Sequence, residues 1–559
     1  VALALVLAGC RIGAAPSDPT GSSDPVSTPT PPTTPTATYA IGGSVSGITG
    51  KLTLQDNGGD NLSLTAAGSF TFATALASGA KYDVTVAASP SGQTCVVTGG
   101  SGTVASAAVT TVMVSCSTTS AFSGQWTWVG GAHSINESGH YGTEGVAGGG
   151  NTPGARANPA TWTDAQGHLW LFGGWGFDTR GFGGVLNDLW EYDPGSRQWT
   201  WVGGSTNFGA AGIYGTQGMA AATGMPANMP GARSAASTWI DAQGNLWLFG
   251  GVGADANQNP VEFNDLWEYT PSSGQWIWQS GADTTGSAGS YGTLGLAAAG
   301  NAPAARGNGA TWIDAQGNLW LFGGAQYSAS GAPALNDLWS YSPTSGEWTW
   351  AGGSSTAGTA GVYGTLGVAA ASNMPGARAA AVAWLANGTL WLFGGSGNDD
   401  SGKAGALNDL WTRNPTSGQW TWVGGSSTQG AMGVYGTAES ASATNVPGAR
   451  AGAVGWLDAS GNLWLFGGKG FDSAGTQGNL NDLWSYSLAS GQWTWVSGSE
   501  IVNGGGVYGT QGSGSTDNTP GARELAAGWW NGSGSLWLFG GFGNANGTGE
   551  LNDLWTFTP

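Results

Sequence analysis

Six arginines and six aspartates recur in register along this chain, and they form its most regular chemistry. Each arginine closes a Pro-Gly-Ala-Arg run, once Pro-Ala-Ala-Arg: Arg156, Arg233, Arg306, Arg378, Arg450 and Arg523. Each aspartate lies in an Asn-Asp-Leu-Trp run: Asp188, Asp265, Asp337, Asp409, Asp482 and Asp553. Guanidinium and carboxylate groups repeated together suit bidentate ion pairs that tie backbone segments to one another. Left unpaired, the arginines would form a cationic ring for an anion. Pairing is the favoured reading, because these arginines are six of only 14 basic residues and six aspartates lie within reach.

Irregular residues offer other chemistry. His133, Glu137, His140 and Glu144 have the types of a zinc ligand set, yet Gly139, Gly142 and Gly145 argue against the helix their spacing suits, so they read as a surface cluster. Asp178, Asp399, Asp400 and Asp472 are candidate calcium ligands, without the Asp-x-Asp-x-Asp array such sites use. The same four, with Trp175 and Arg180, are the candidate ligand contacts, Trp175 by stacking. No nucleophile elbow, phosphate loop or His-Glu-x-x-His motif occurs, so no catalytic residue is assigned. The expectation is a chain without cofactor, calcium being the alternative, and with its oligomeric state left open.

These residues sit in a repeat over residues 118–559. Gln-Trp-Thr-Trp or a close variant opens at Trp126, Trp199, Trp276, Trp348, Trp420 and Trp493, at intervals of 73, 77, 72, 72 and 73 residues. Tyr-Gly-Thr, the Arg run, Leu-Trp-Leu-Phe-Gly-Gly and Asn-Asp-Leu-Trp follow in every unit. A period in this range indicates a solenoid or propeller. Each unit reads as four strands: a after the Arg, b as Leu-Trp-Leu-Phe-Gly-Gly, c as Asn-Asp-Leu-Trp, d as Gln-Trp-Thr-Trp. The Gly-Gly doublet closing strand b, the Asp-x-x-Tyr-like run in c and the Trp in d resemble the kelch repeat. That resemblance implies an all-β, six-bladed propeller. The chain enters it on a strand d and leaves it on a strand c, so the first strand should complete the last blade and remove the open edges.

Strands alternate in direction, which places the b–c and d–a loops on one face. The d–a loops hold 24 residues in five units and 28 in one, measured between the second Trp of strand d and the Pro before the Arg. Their near-constant length predicts ordered structure. The b–c loops differ in sequence from unit to unit and are the expected seat of recognition. Thirty of the 32 Trp occupy repeated positions, which reads as packing between blades; Trp175 and Trp530 do not.

The resemblance extends to the galactose oxidase central domain, whose chemistry needs copper held by His and Tyr and a Tyr–Cys crosslink. The repeat has no Cys, and its His133, His140 and His168 all fall in the first unit. The Asp-x-x-Gly-x-x-Trp turns differ by one residue from the sialidase box. The expectation is therefore a protein that is not an enzyme.

Upstream, residues 1–10 end in Leu7-Ala8-Gly9-Cys10, similar to a bacterial lipoprotein lipobox. The resemblance implies lipidation of Cys10 and, with Arg11 following, placement at the outer membrane. A charged segment and initiator Met are expected before Val1. Residues 11–38 are rich in Pro, Thr and Ser and read as an extended spacer. Residues 39–117 alternate in polarity with turn residues between, giving about seven short strands and a small β-sandwich similar to Ig-like or transthyretin-like modules. In an exported chain Cys95 and Cys116 form an even pair, and a disulfide between them is expected.

The net charge of −19 excludes the basic footprint that nucleic-acid binding requires. No run of 18 apolar residues occurs, so the lipid is the expected membrane contact. The functional expectation is a cell-surface binding or adhesion scaffold for a glycan or protein partner. The alternatives are a carbohydrate-active enzyme using b–c loop carboxylates and a structural envelope or filament subunit.

Overall fold

The structure is a computed structural model, and it describes residues 37–90, 93–118, 124–254, 260–326, 332–530 and 534–559. Cys10, its lipobox and residues 11–36 of the spacer lie outside the described residues. The chain divides into two compact units between Thr119 and Ser120.

In the first unit, alternating apolar residues fold into two four-stranded sheets. One has the order Gly68–Thr71, Ile41–Ser46, Val109–Thr118, Gln93–Thr98; the other has Asp60–Leu64, Leu52–Asp56, Lys81–Ala88, Ser101–Thr103. Ile41, Leu52, Leu54, Phe70, Val84 and Val112 share one core, which makes the unit a β-sandwich. Cys95 and Cys116 stand opposite each other on adjacent antiparallel strands and are joined by a disulfide.

The second unit is a six-bladed β-propeller. In blade 1, strand a is Ala160–Thr163, b Leu169–Phe177, c Gly183–Asp193 and d Gln198–Gly203, paired in that order. Blades 2 to 5 repeat this, with strands a at Ser237–Ile240, Ala310–Ile313, Val382–Ala386 and Val454–Leu457. Blade 6 takes a, b and c from Ala527–Trp530, Leu536–Ala545 and Gly547–Thr558, and its strand d from Gln125–Gly130. Trp126 pairs opposite Phe557 and Trp128 opposite Trp555, so the ring closes by hydrogen bonds.

The repeated aromatics pack the seams. Six buried clusters each draw on two neighbouring blades; Trp162, Phe172 and Leu189 of blade 1, for example, meet Leu246, Trp267 and Trp276 of blade 2. Each buried Trp removes roughly 150–250 Å² from water. The Gly-Gly doublet has a steric cause. Gly173 sits at φ 62° at the bulge after Phe172, and a Cβ there would lie 2.5 Å from the Arg233 carbonyl oxygen of the next blade.

The d–a loops are ordered. Each leaves one blade and runs along the outer strand d of the next: Gly148 bridges to Trp199, Ala298 to Trp348, Ala370 to Trp420, Ser442 to Trp493 and Ser515 to Trp126.

Candidate functional site

In every blade the repeated Arg and Asp form a buried pair. Arg156 Nη1 and Nη2 donate to Asp188 Oδ1 and Oδ2 at 2.7 and 2.8 Å, Nε donates to the Gly154 carbonyl, and Nη1 also reaches the Gly173 carbonyl. Asp188 Oδ2 accepts the Tyr141 hydroxyl at 2.6 Å and the Trp190 indole N–H at 2.7 Å. Tyr141 belongs to the Tyr-Gly-Thr run, so the network pins the d–a loop to strand c. The pairs Arg233–Asp265, Arg306–Asp337, Arg378–Asp409, Arg450–Asp482 and Arg523–Asp553 repeat it, each with its Tyr. Burial opposes the guanidinium charge, but the facing carboxylate outweighs it and raises each Arg pKa. Buried, with the guanidinium bound through Nε and both Nη atoms and the carboxylate filled, these residues hold the fold.

Three of the aspartates expected to meet a ligand are also committed. Asp178, Asp399 and Asp472 are buried at the b–c turns. Asp178 accepts the backbone N–H groups of Arg180 and Phe182 and the Arg180 guanidinium. Asp399 accepts Ser401, Lys403 and Gln429 N–H groups; Asp472 accepts those of Ala474, Thr476 and Val502. This corrects the ligand and calcium readings of these three: short carboxylates saturated by turn N–H donors are turn caps. Arg180 lies over Phe182 and Phe208 while holding Asp178. Asp400 is exposed and accepts the Ser427 hydroxyl. Trp175 is 43% exposed.

His133 packs edge-on against Trp128 and Tyr508, and Glu137 accepts the Ser134 hydroxyl. Among the described residues, the group with metal-ligand geometry is instead Asp164 and His168 of the a–b turn of blade 1 with Glu191 of strand c. His168 Nδ1 lies 3.2 Å from Asp164 and 2.7 Å from Glu191. Asn245, Asn318 and Asn462 fill the same place in three other blades and donate to the equivalent Asp, so His168 is first a variant of that turn bond.

The repeat departs from itself on the loop face, beside the axis. There the residue after the Gly-Gly doublet pairs on one side with the residue after the Arg and on the other with strand c. These three face the same side of the sheet. The rows are Ala157, Trp175 and Val185 in blade 1, Ala451, Lys469 and Asn479 in blade 5, and Glu524, Phe542 and Glu550 in blade 6. Lys469 Nζ crosses the seam to within 3.7 Å of Glu524 Oε1. Burial pushes Glu524 up, and Lys469 opposes that shift. Glu550 is 7% exposed and its Oε2 has no hydrogen-bond partner. Burial first, and then the Glu524 charge, push its pKa up to about 8, so it holds its proton at neutral pH. The signal for these positions was present in the repeat: variable residues inside otherwise constant runs.

Next to this row the backbone forms a closed circle. The second residue after each Arg has positive φ: Asn158, Ala235, Asn308, Ala380, Gly452 and Leu525. Each N–H donates to the carbonyl of its neighbour, from Asn158 to Leu525, Leu525 to Gly452, and on around to Asn158 again, at 2.7–3.0 Å.

Comparisons with known proteins add little beyond this geometry. No family model and no curated protein matches the chain. A solved structure described as "Structure of YjhT" is similar at 16% sequence identity and a TM-score of 0.42, covering 72% of this chain and 95% of that one.

Proposed function

We propose that this protein is a surface-displayed binding scaffold whose propeller recognises a carbohydrate at the centre of its loop face. The observation that carries the reading is the break in the repeat there: exposed Trp175, the Lys469–Glu524 pair and protonated Glu550. An exposed indole offers a face for sugar C–H groups, and mixed donors and acceptors suit hydroxyls. The Leu7–Cys10 lipobox supports display by a lipid anchor at the outer membrane, and acyl labelling lost in Cys10→Ala tests it. A glycan array with the purified chain tests the binding. Glycans retained by the wild type and lost by Trp175→Ala and Lys469→Ala, with unchanged melting, support the reading. Equal retention by both variants sinks it, and capture of a protein partner by the loop face without any glycan would replace the ligand class.

One observation favours a second reading, hydrolysis of that carbohydrate. A carboxyl whose pKa is raised by burial and by a second carboxyl near it is the pattern by which two such groups divide acid and base roles. Release of a chromogenic aglycone by the wild type and not by Glu550→Gln supports it; absence of turnover across a glycoside panel returns the protein to binding alone.

A further inference from the structure

The six seams are alike on the a–b/c–d face except between blades 3 and 4. At five seams an aromatic residue four positions after the repeated Asp packs against the strand-b Trp of the preceding blade: Tyr192 on Trp537, Tyr269 on Trp170, Tyr341 on Trp247, Tyr486 on Trp391 and Phe557 on Trp464. At the sixth seam the position is Arg413. Its guanidinium carbon lies 4.7 Å from the centre of the Trp320 ring. Its side chain makes no ion pair or hydrogen bond among the described residues, and its Nε is buried without a partner. Burial lowers its pKa, with no carboxylate to offset it. This is the reverse of the six repeated arginines.

A second irregularity lies beside it. Strand-a Trp162, Trp239, Trp384 and Trp529 each donate their indole N–H to a carbonyl of a neighbouring blade. Trp312 and Trp456 donate to none of the described residues, and Trp312 stacks on Trp320, at 5.7 Å and 10° between planes. At this seam lies a recess of about 530 Å³, lined by Trp312, Trp320, Arg413, Ile313 and Leu385 among others. Asp314 also lines it, but its two oxygens already accept Gln316, Asn318 and Trp320 N–H donors. Arg413 supplies the recess with a cation and Trp312 with an N–H donor, set among apolar walls, with Gln316 and Thr416 also on the lining.

We infer that this recess binds a small organic carboxylate. Arg413 and the Trp312 indole N–H hold the carboxylate, and Trp320, Ile313 and Leu385 pack on its apolar or ring body. A free guanidinium fork matches a carboxylate in two hydrogen bonds. The site lies on the opposite face from the carbohydrate reading and does not depend on it.

The test uses the full chain and two acids with their uncharged counterparts: phenylacetate against phenylacetamide, and glucuronate against glucose. Titration calorimetry and saturation-transfer NMR read the binding. At least one acid is expected to bind at millimolar concentration or tighter, and its counterpart at least about tenfold more weakly. Arg413→Gln should weaken the acid by about tenfold or more, and Arg413→Lys by less. Arg413→Tyr restores the aromatic of the other five seams, so it should abolish binding while raising the melting temperature. Binding of neither acid, equal binding of acid and counterpart, or full affinity in Arg413→Gln would overturn the assignment. Loss in Trp175→Ala with none in Arg413→Gln would place the acid on the loop face instead.

Discussion

Replacing Glu550 by Gln should make the protein less sensitive to alkali, and the size of the effect follows from the site. Glu550 is nearly enclosed, its Oε2 has no partner, and Glu524 adds a like charge. The native pKa is pushed from 4.5 up to about 8. The folded state therefore keeps a proton that the unfolded chain releases near the ordinary carboxylate value. The stability contributed by that proton is fully present below about pH 4.5, falls as pH rises, and is gone above about pH 8. At about 1.36 kcal/mol per pKa unit the full span approaches 5 kcal/mol. Water reaching the ionised side chain lowers this, so about 2–4 kcal/mol is expected. Gln has the same shape and no proton to lose. Urea unfolding of both proteins at about pH 5, 7 and 9 gives the comparison, with the variant gaining on the wild type at each step. Two parallel stability curves across that window would refute the burial argument, and with it the protonated acid on which the hydrolytic reading rests.

Other perturbations separate scaffold from site. Arg378→Met leaves Asp409 buried and charged, and should cost about 3–5 kcal/mol in urea unfolding; a loss below about 1 kcal/mol would show that the pair is not what holds the d–a loop. Gly173→Ala should lower the melting temperature by several degrees, since its Cβ meets backbone of the next blade at a φ of 62°. Removing residues 124–130 should leave strand Gly547–Thr558 as a bare edge and cause concentration-dependent association by light scattering. Reducing the Cys95–Cys116 bond should destabilise the first unit by about 3 kcal/mol and leave the propeller transition in place, as calorimetry would show.

The propeller was legible because repetition is self-confirming: Trp, Arg and Asp recurring six times at one interval cannot each be accidental, and a missing last strand d names its own replacement. The Arg–Asp contacts followed from charge counting. The Tyr hydroxyl on each Asp did not, since about two thirds of a repeat separates them and Tyr-Gly-Thr reads as a turn. Asp178, Asp399 and Asp472 misled because an aspartate in a variable loop looks free, while the turn N–H groups that saturate it carry no sequence mark. The circle of positive-φ residues was hidden for a similar reason: only Gly452 among the six is a glycine. Lys469, Glu524 and Glu550 stand out only once strand register aligns them in rows.

That circle has an electrostatic consequence. Six residues close on themselves here, each lending the N–H of one peptide group and the C=O of the next, with no first and no last member. The peptide dipoles, about 3.5 D each, repeat around the ring, and by the sixfold arrangement their in-plane parts cancel. A helix terminus or a nest of N–H groups does the opposite, gathering donors at one point and drawing anions there. Here the backbone beneath the loop-face centre expresses no lateral preference for either charge. Any charge preference of that surface is left to the side chains above it, three positions per blade, and exchanging one of them alters the surface while the circle below stays as it is.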